Sequence, residues 1–398
     1  MQATRQLSDA LTIQLRQRLD IGLMLVVAAL LAFGLIMVGS SAIGISDQNF
    51  NNPYHYLTRQ LVYVAIGLFA AYIVYELPLQ LWDVAGVILL GLIFVLLIVV
   101  LVPGVGRTVN GATRWINLGP AVLQVSELAK LLMILYMAGY IVRHGHDVRG
   151  SFVGFFKPML VAALVSALLL AQPDYGAAAV IVAVIMGLLF LGGVRITHFL
   201  ILIAIAGGAF AVLAVTSSYR LQRLMTFADP WADPFNTGFQ LTQSLIAIGS
   251  GGWTGVGLGA SIQKLFYLPE AHNDFVFAIL AEELGFIGVS VVLFLFTYTV
   301  WRAFAIGTAA ERAGHLYGAF VAYGVGLWIA LQVFVNIGVN MGVLPTKGLT
   351  LPLMSAGGSS VVAMCIGLGL VLRVHREVHD LALRSGGGSS WVDRGGRT

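Results

Sequence analysis

The stretch YLPEAHNDFVFAILAEELG, residues 267–285, places four carboxylates, Glu270, Asp274, Glu282 and Glu283, in nineteen positions. Pro269 ends whatever precedes it, and Asn273 or Asp274 is placed to cap a helix whose apolar pattern runs on to about residue 301. A run of that length reads as a membrane-spanning helix. Asp274 then stands at its outer end, where water and lipid headgroups meet. Glu282 and Glu283 fall roughly 12–13 Å deeper at 1.5 Å per residue. Ionisable groups inside a bilayer need a partner or a wet cavity.

Working outward, the rest of the chain has the same character. Of 398 residues, 59% are hydrophobic and 10% charged, and the mean hydropathy is +0.91. Globular domains carry roughly 25% charged residues, so the composition is that of an all-α polytopic membrane protein. Apolar segments can be drawn at about 21–43, 57–76, 81–102, 122–142, 157–171, 176–192, 196–216, 274–301, 316–340 and 349–373, about ten spans. The first is too long for the core of a signal peptide and reads as a retained helix. The single cysteine, Cys365, lies in an apolar run, which excludes an internal disulfide and a cysteine metal cluster.

Charge placement sets the expected orientation. With both ends cytoplasmic, 14 of the 22 lysines and arginines fall on inner segments, 7 on outer segments, and Lys130 lies within a span. The net charge of +4 is thereby a matter of topology, and nucleic acid is not indicated. The chain divides into a cytoplasmic N-terminal segment (1–20), one membrane domain (21–375) and a Gly/Ser-rich cytoplasmic tail (376–398) expected to be disordered. The large extracytoplasmic loop between spans 7 and 8, residues 217–273, is too long for a mere linker.

Five further features carry chemistry or packing. Glu127 and Lys130, three apart in SELAKL (126–131), share a helix face. They are either a mutually neutralising pair or a lysine held for an anionic headgroup. Gln332, Asn336 and Asn340, four apart, read as glue between helices or as a polar wall. In LPTKGLTLPLMSAGGSS (344–360) the small residues around Ser355 fit close helix packing or the lining of a polar ligand. Asp174 in QPDYG (172–176) suits a turn. The run GSGGWTGVGLGAS (249–261) follows no strand pattern and lacks the P-loop form, so it is not read as a nucleotide cradle. Taken together, Arg114, Asp174, Lys264, Asp274 and Lys347 all fall on the outer side, an arrangement suited to a large anionic lipid.

These motifs are familiar as a set. DPFNTGFQLTQSLIAIGSGGWTGVGLG (233–259), LPEAHNDFVFAILAEELG (268–285) and LPTKGLTLPLMSAGGSS resemble the SEDS family (shape, elongation, division, sporulation). WINLGP (115–120), SELAKL and QPDYG fit the same family, and the similarity runs from about residue 20 to 375. The wording PTKGLTLPL is most similar to the family's division branch. Val125, Ala356 and Asn273 depart from the family's usual proline, aromatic and threonine.

The resemblance implies ten spans in the bacterial cytoplasmic (inner) membrane, at the division septum. It implies a peptidoglycan glycosyltransferase polymerising lipid II with a class B penicillin-binding protein and other division proteins. The family's essential aspartate carries over onto Asp274, as the catalytic candidate. Its acid–lysine pair carries over onto Glu127 and Lys130, its QPD acid onto Asp174, and its serine onto Ser355. With Arg114, Gln243, Lys264 and Lys347, these complete the expected substrate-binding set. No cofactor is assigned from the sequence; a divalent cation (Mg or Mn) could share the diphosphate charge, although no ligand set is visible.

A lipid diphosphate is already a good leaving group, so such a reaction needs no strong general acid, and one positioned base is enough. Direct displacement inverts the anomeric centre. Two other classes fit the composition. A lipid II transporter would use Glu127 and Lys130 as a mid-membrane switch and depend less on Asp274. A non-catalytic division scaffold would tolerate a charge-neutral change at Asp274.

Overall fold

A computed structural model describes residues 19–109, 111–117, 119, 122–215, 229–236, 238–265, 267–345 and 348–387. The helices are α1 (Ile21–Phe50), α2 (His55–Glu76), α3 (Leu79–Val84), α4 (Gly86–Val99), α5 (Val125–Gly150), α6 (Phe152–Ala171), α7 (Tyr175–Leu191), α8 (Ile196–Val215), α9 (Phe239–Ser250), α10 (Val276–Arg312), α11 (Leu316–Asn340) and α12 (Gly358–Gly387). Each of the ten expected segments overlaps a helix, and the segment 81–102 overlaps both α3 and α4. Among the described residues seven are long and apolar enough to cross a membrane; α4 and α7 are shorter apolar helices.

The segments before α5 and α12 depart from the helical expectation. Residues expected to open the fourth span instead form the strand β3 (Val122–Gln124), which pairs antiparallel with β2 (Ala112–Asn117), itself paired with β1 (Gly106–Val109). The tenth span begins at Gly358, because residues 348–357 run as turns and extended chain. Hydropathy alone does not separate such apolar turns from helix.

Helix α5 is the axis of the bundle, buried along most of its length, with α11 beside it. Peripheral helices such as α4 turn residues like Val87 and Ile88 outward, as lipid contact requires. Two ionic rungs frame the membrane. At one, Asp20 caps α1 through Leu23 N and pairs with Arg302 of α10. At the other, Ser40 of α1 and Lys264 both bond to Glu283 of α10, at 2.7 Å. From Asp20 to Ser40 a helix rises about 30 Å, the thickness of a hydrocarbon core. Glu283 therefore sits at the membrane boundary, and α10 continues about 10 Å beyond it toward Asp274.

Candidate active site

The four carboxylates of residues 267–285 have different occupations. Glu282 accepts from Ser261 Oγ at 2.5 Å and Ile262 N at 2.9 Å. Glu283 accepts from Lys264 and Ser40. Glu270, in a left-handed conformation (φ 54), accepts from Asn273 Nδ2 at 2.6 Å, and its carbonyl receives Asn273 N and Asp274 N. Among the described residues no hydrogen bond reaches the Asp274 carboxylate, and this residue is only half-buried.

What fixes Asp274 is its backbone. Its carbonyl accepts from Asn336 Nδ2 at 2.9 Å and from Asn340 Nδ2 at 3.0 Å. Asn340 Oδ1 also receives Ala278 N at 3.3 Å, in the first turn of α10. Asn336 further binds the carbonyl of Leu349 at 2.6 Å, and Gln332 that of Thr350 at 3.0 Å. The amide stripe of α11 is glue, as one reading of the sequence holds, and it joins α10 to the non-helical segment before α12. Its role in holding Asp274 was not legible, because the contact is made to main chain. A methyl on Gly348 would come within 2.9 Å of Asp274 Oδ2, so this segment faces the carboxylate directly. Lys347, its neighbour in sequence, lies outside the described residues.

Charges converge on the same place. Burial pushes the Asp274 carboxyl up to about 7, Glu270 and Asp174 push it the same way, and Arg114 opposes them. Arg114 reaches across from β2 to the turn between α6 and α7. There it donates to the carbonyls of Gln172 and Pro173 and stands 3.7 Å from Asp174. Asp174 caps α7 through Ala177 N and leaves Oδ2 buried without a partner among the described residues. The structure thus brings Arg114, Asp174 and Asp274 together. His272 packs on Tyr56 with ring centroids 4.7 Å apart, and burial lowers its pKa.

The remaining candidates have other settings. Lys130 donates to Glu127 and to Gln332 Oε1, each at 2.7 Å, while Trp328 Nε1 donates to the same Gln332 oxygen at 2.8 Å. Glu127 Oε2 is buried without a partner among the described residues. Ser355 closes a turn by accepting Leu351 N at 2.8 Å, and its carbonyl receives Gln60 Nε2 at 3.0 Å. Gln60, a buried amide near the start of α2, is a support that sequence reasoning missed; placed directly after Thr58 and Arg59, it gave no separate signal. Gln243 lies half-buried on α9, and Lys264 belongs to the ionic rung. Among the described residues no three His, Cys, Asp or Glu side chains gather as an ion-binding set.

Comparison with known proteins bears on this arrangement. Residues 21–380 match the model of the FtsW, RodA and SpoVE family, described as cell cycle protein. The chain is 59% identical over 377 residues to a protein of Thioalkalivibrio sulfidiphilus named probable peptidoglycan glycosyltransferase FtsW, covering 95% of this chain and 94% of that one. To the protein of the same name in Coxiella burnetii it is 49% identical, covering 91% and 97%. A chain in the solved structure of a peptidoglycan synthase complex, concerned with coordination of polymerization and crosslinking, is 36% identical with a TM-score of 0.75, covering 90% and 98%. The rod shape determining protein RodA of Thermus thermophilus is 34% identical with a TM-score of 0.65, covering 90% and 97%.

Proposed function

Since the chain belongs to the FtsW, RodA and SpoVE family of cell cycle proteins, we propose that Asp274 is the general base of its glycosyl transfer. The chain is a peptidoglycan glycosyltransferase. The substrate is lipid II, and the product is a growing glycan strand. The carrying observation is the contrast within one motif: Glu270, Glu282 and Glu283 are engaged in hydrogen bonds, while the Asp274 carboxylate has none among the described residues.

In the proposed step the 4-hydroxyl of one lipid-linked sugar attacks the anomeric carbon of another. Asp274 takes the hydroxyl proton, the new glycosidic bond forms, and the bond to the lipid diphosphate breaks with inversion. A carboxyl titrating near 7 is matched to that task at neutral pH. Its position beyond the Ser40–Glu283 rung keeps it clear of hydrocarbon. Arg114 is placed to offset negative charge developing nearby. Lys130, Lys347, Gln243 and Ser355 are proposed as further contacts to substrate. The site faces the extracytoplasmic side, both termini are cytoplasmic, and the enzyme works at the division septum with a class B penicillin-binding protein.

The test is lipid II polymerisation by the purified protein with its partner, with and without magnesium or manganese. Asp274→Asn should abolish glycan product while leaving the thermal transition and partner binding intact. Full activity in that variant would refute the assignment.

A further inference from the structure

The glycine-rich run after α9 has an unusual attachment. Val256 N donates to Glu282 O at 2.9 Å, and Gly257 N to Glu283 O at 3.1 Å. In the other direction Phe286 N donates to Gly252 O at 2.9 Å, and Ile287 N to Trp253 O at 3.1 Å. The run is thus spliced into a break in α10, where Gly285 adopts φ 62 and ψ −162. A Cβ on Gly285 would meet Gly255 N at 2.3 Å, so the close approach requires glycine. Backbone groups freed by the break are satisfied by the loop, the condition for non-helical chain at membrane depth.

The splice fixes depth. Ile287 follows Glu283 along α10 in the direction of Arg302, so the Trp253 carbonyl is held on the hydrocarbon side of the Ser40–Glu283 rung. Trp253 is 74% exposed and packs edge-on against Phe286, itself exposed on α10. Val256, Leu258, Ile262 and Leu265 continue the exposed apolar surface. No charged side chain occurs between Asp233 and Lys264. Lys264 turns the other way, to Glu283 and Ser40. The outward face is oil and the inward face is paired, and the outward face is continuous with the lipid-facing side of α10.

We infer that residues 251–265 are a membrane-immersed anchor whose apolar ridge is covered by acyl chains of the leaflet on the Asp274 side. Tryptophan at the boundary and aliphatic residues around it match the chemistry of that zone. The anchor seats the end of the long loop only a few residues before Asp274. The assignment concerns the loop's solvent and is independent of which residue is the base.

The chain's only cysteine permits a direct test. In a Cys365→Ala background, Trp253→Cys, Leu258→Cys and Ile262→Cys are labelled one at a time with a bimane fluorophore. Each is reconstituted into phosphatidylcholine–phosphatidylglycerol vesicles. Phe294→Cys on the exposed face of α10 serves as the lipid reference, and Asn52→Cys in the turn after α1 as the aqueous one. Phosphatidylcholine carrying a nitroxide at acyl carbon 5 should quench the loop probes several-fold more than iodide does, as at 294. Iodide quenching at the level of residue 52, with no effect of the nitroxide lipid, would overturn the proposal. So would lipid quenching that disappears when a class B penicillin-binding protein is reconstituted alongside, since that partner would then be the occupant. Three separate sites keep the answer available if one variant does not fold.

Discussion

Asn340 Nδ2 donates to the main-chain carbonyl of Asp274 at 3.0 Å and to that of Asn336 at 2.8 Å. One amide thereby ties the end of α11 to the residue that precedes α10. Asn340→Leu deletes this tie and leaves Asn336 Nδ2 as the remaining side-chain donor to the Asp274 carbonyl, a loss of about 1 kcal/mol. If the tie sets the direction of the Asp274 carboxylate, kcat in lipid II polymerisation falls roughly 10- to 100-fold, with KM little changed. A purely structural role would lower the melting temperature and leave the kcat of the folded fraction untouched. Kinetics on protein that passes gel filtration separates the two.

The pH profile should carry the signature of Asp274. Its carboxyl is raised to about 7, first by burial and then by Glu270. A base works only when deprotonated, so activity should climb through neutral pH and level off above it. Glu270→Gln removes a like charge and should move the acidic limb toward lower pH by about one unit. Arg114→Gln removes the opposing cation and should move it toward higher pH. Shifts in the same direction, or none, would disconnect Asp274 from the limb.

Much of this fold was readable because a bilayer permits few solutions: apolar runs of sufficient length become helices, although α5 and α12 start later than their runs. What was hidden was backbone chemistry. The β-hairpin that carries Arg114 to Pro173, the splice of residues 252–257 into α10, and the amide contacts to Asp274 O all depend on main-chain groups that look alike in any sequence. Asp274, Arg114 and Asp174 were legible as a set of charges on one side. That Glu282 and Glu283 hold a loop, whereas Asp274 stands without a hydrogen-bonded partner among the described residues, required coordinates.

Glu127 and Lys130 offer a test of the transporter alternative. Lys130 is engaged by both Glu127 and Gln332, so Lys130→Met leaves a buried carboxylate without its cation. That should destabilise the protein by about 3–5 kcal/mol. The double variant Glu127→Gln with Lys130→Met removes both charges and should recover most of the melting temperature. If the pair only packs helices, polymerisation returns with it. If Lys130 meets the substrate diphosphate, the double variant is folded and still slow, with a raised KM. Transbilayer movement of lipid II in vesicles, measured on the same protein, should be absent in wild type and variant alike; appreciable movement would favour transport.

Lys264 poses the sharper choice, because its position on the outer side suggested substrate binding while its amine is held at 2.7 Å by Glu283 and at 2.9 Å by Ser40. Its side chain is only 11% exposed. A lysine so engaged cannot reach a diphosphate without leaving Glu283 unpaired at the membrane boundary. Lys264→Met should therefore act on the loop, lowering the melting temperature and raising amide exchange in residues 255–265, with KM for lipid II unchanged. Adding Glu283→Leu should restore the protection, since an apolar replacement of both partners removes the uncompensated charge. Should Lys264→Met instead raise KM with the loop still protected from exchange, the amine leaves its rung during turnover and the ionic contact is a resting state.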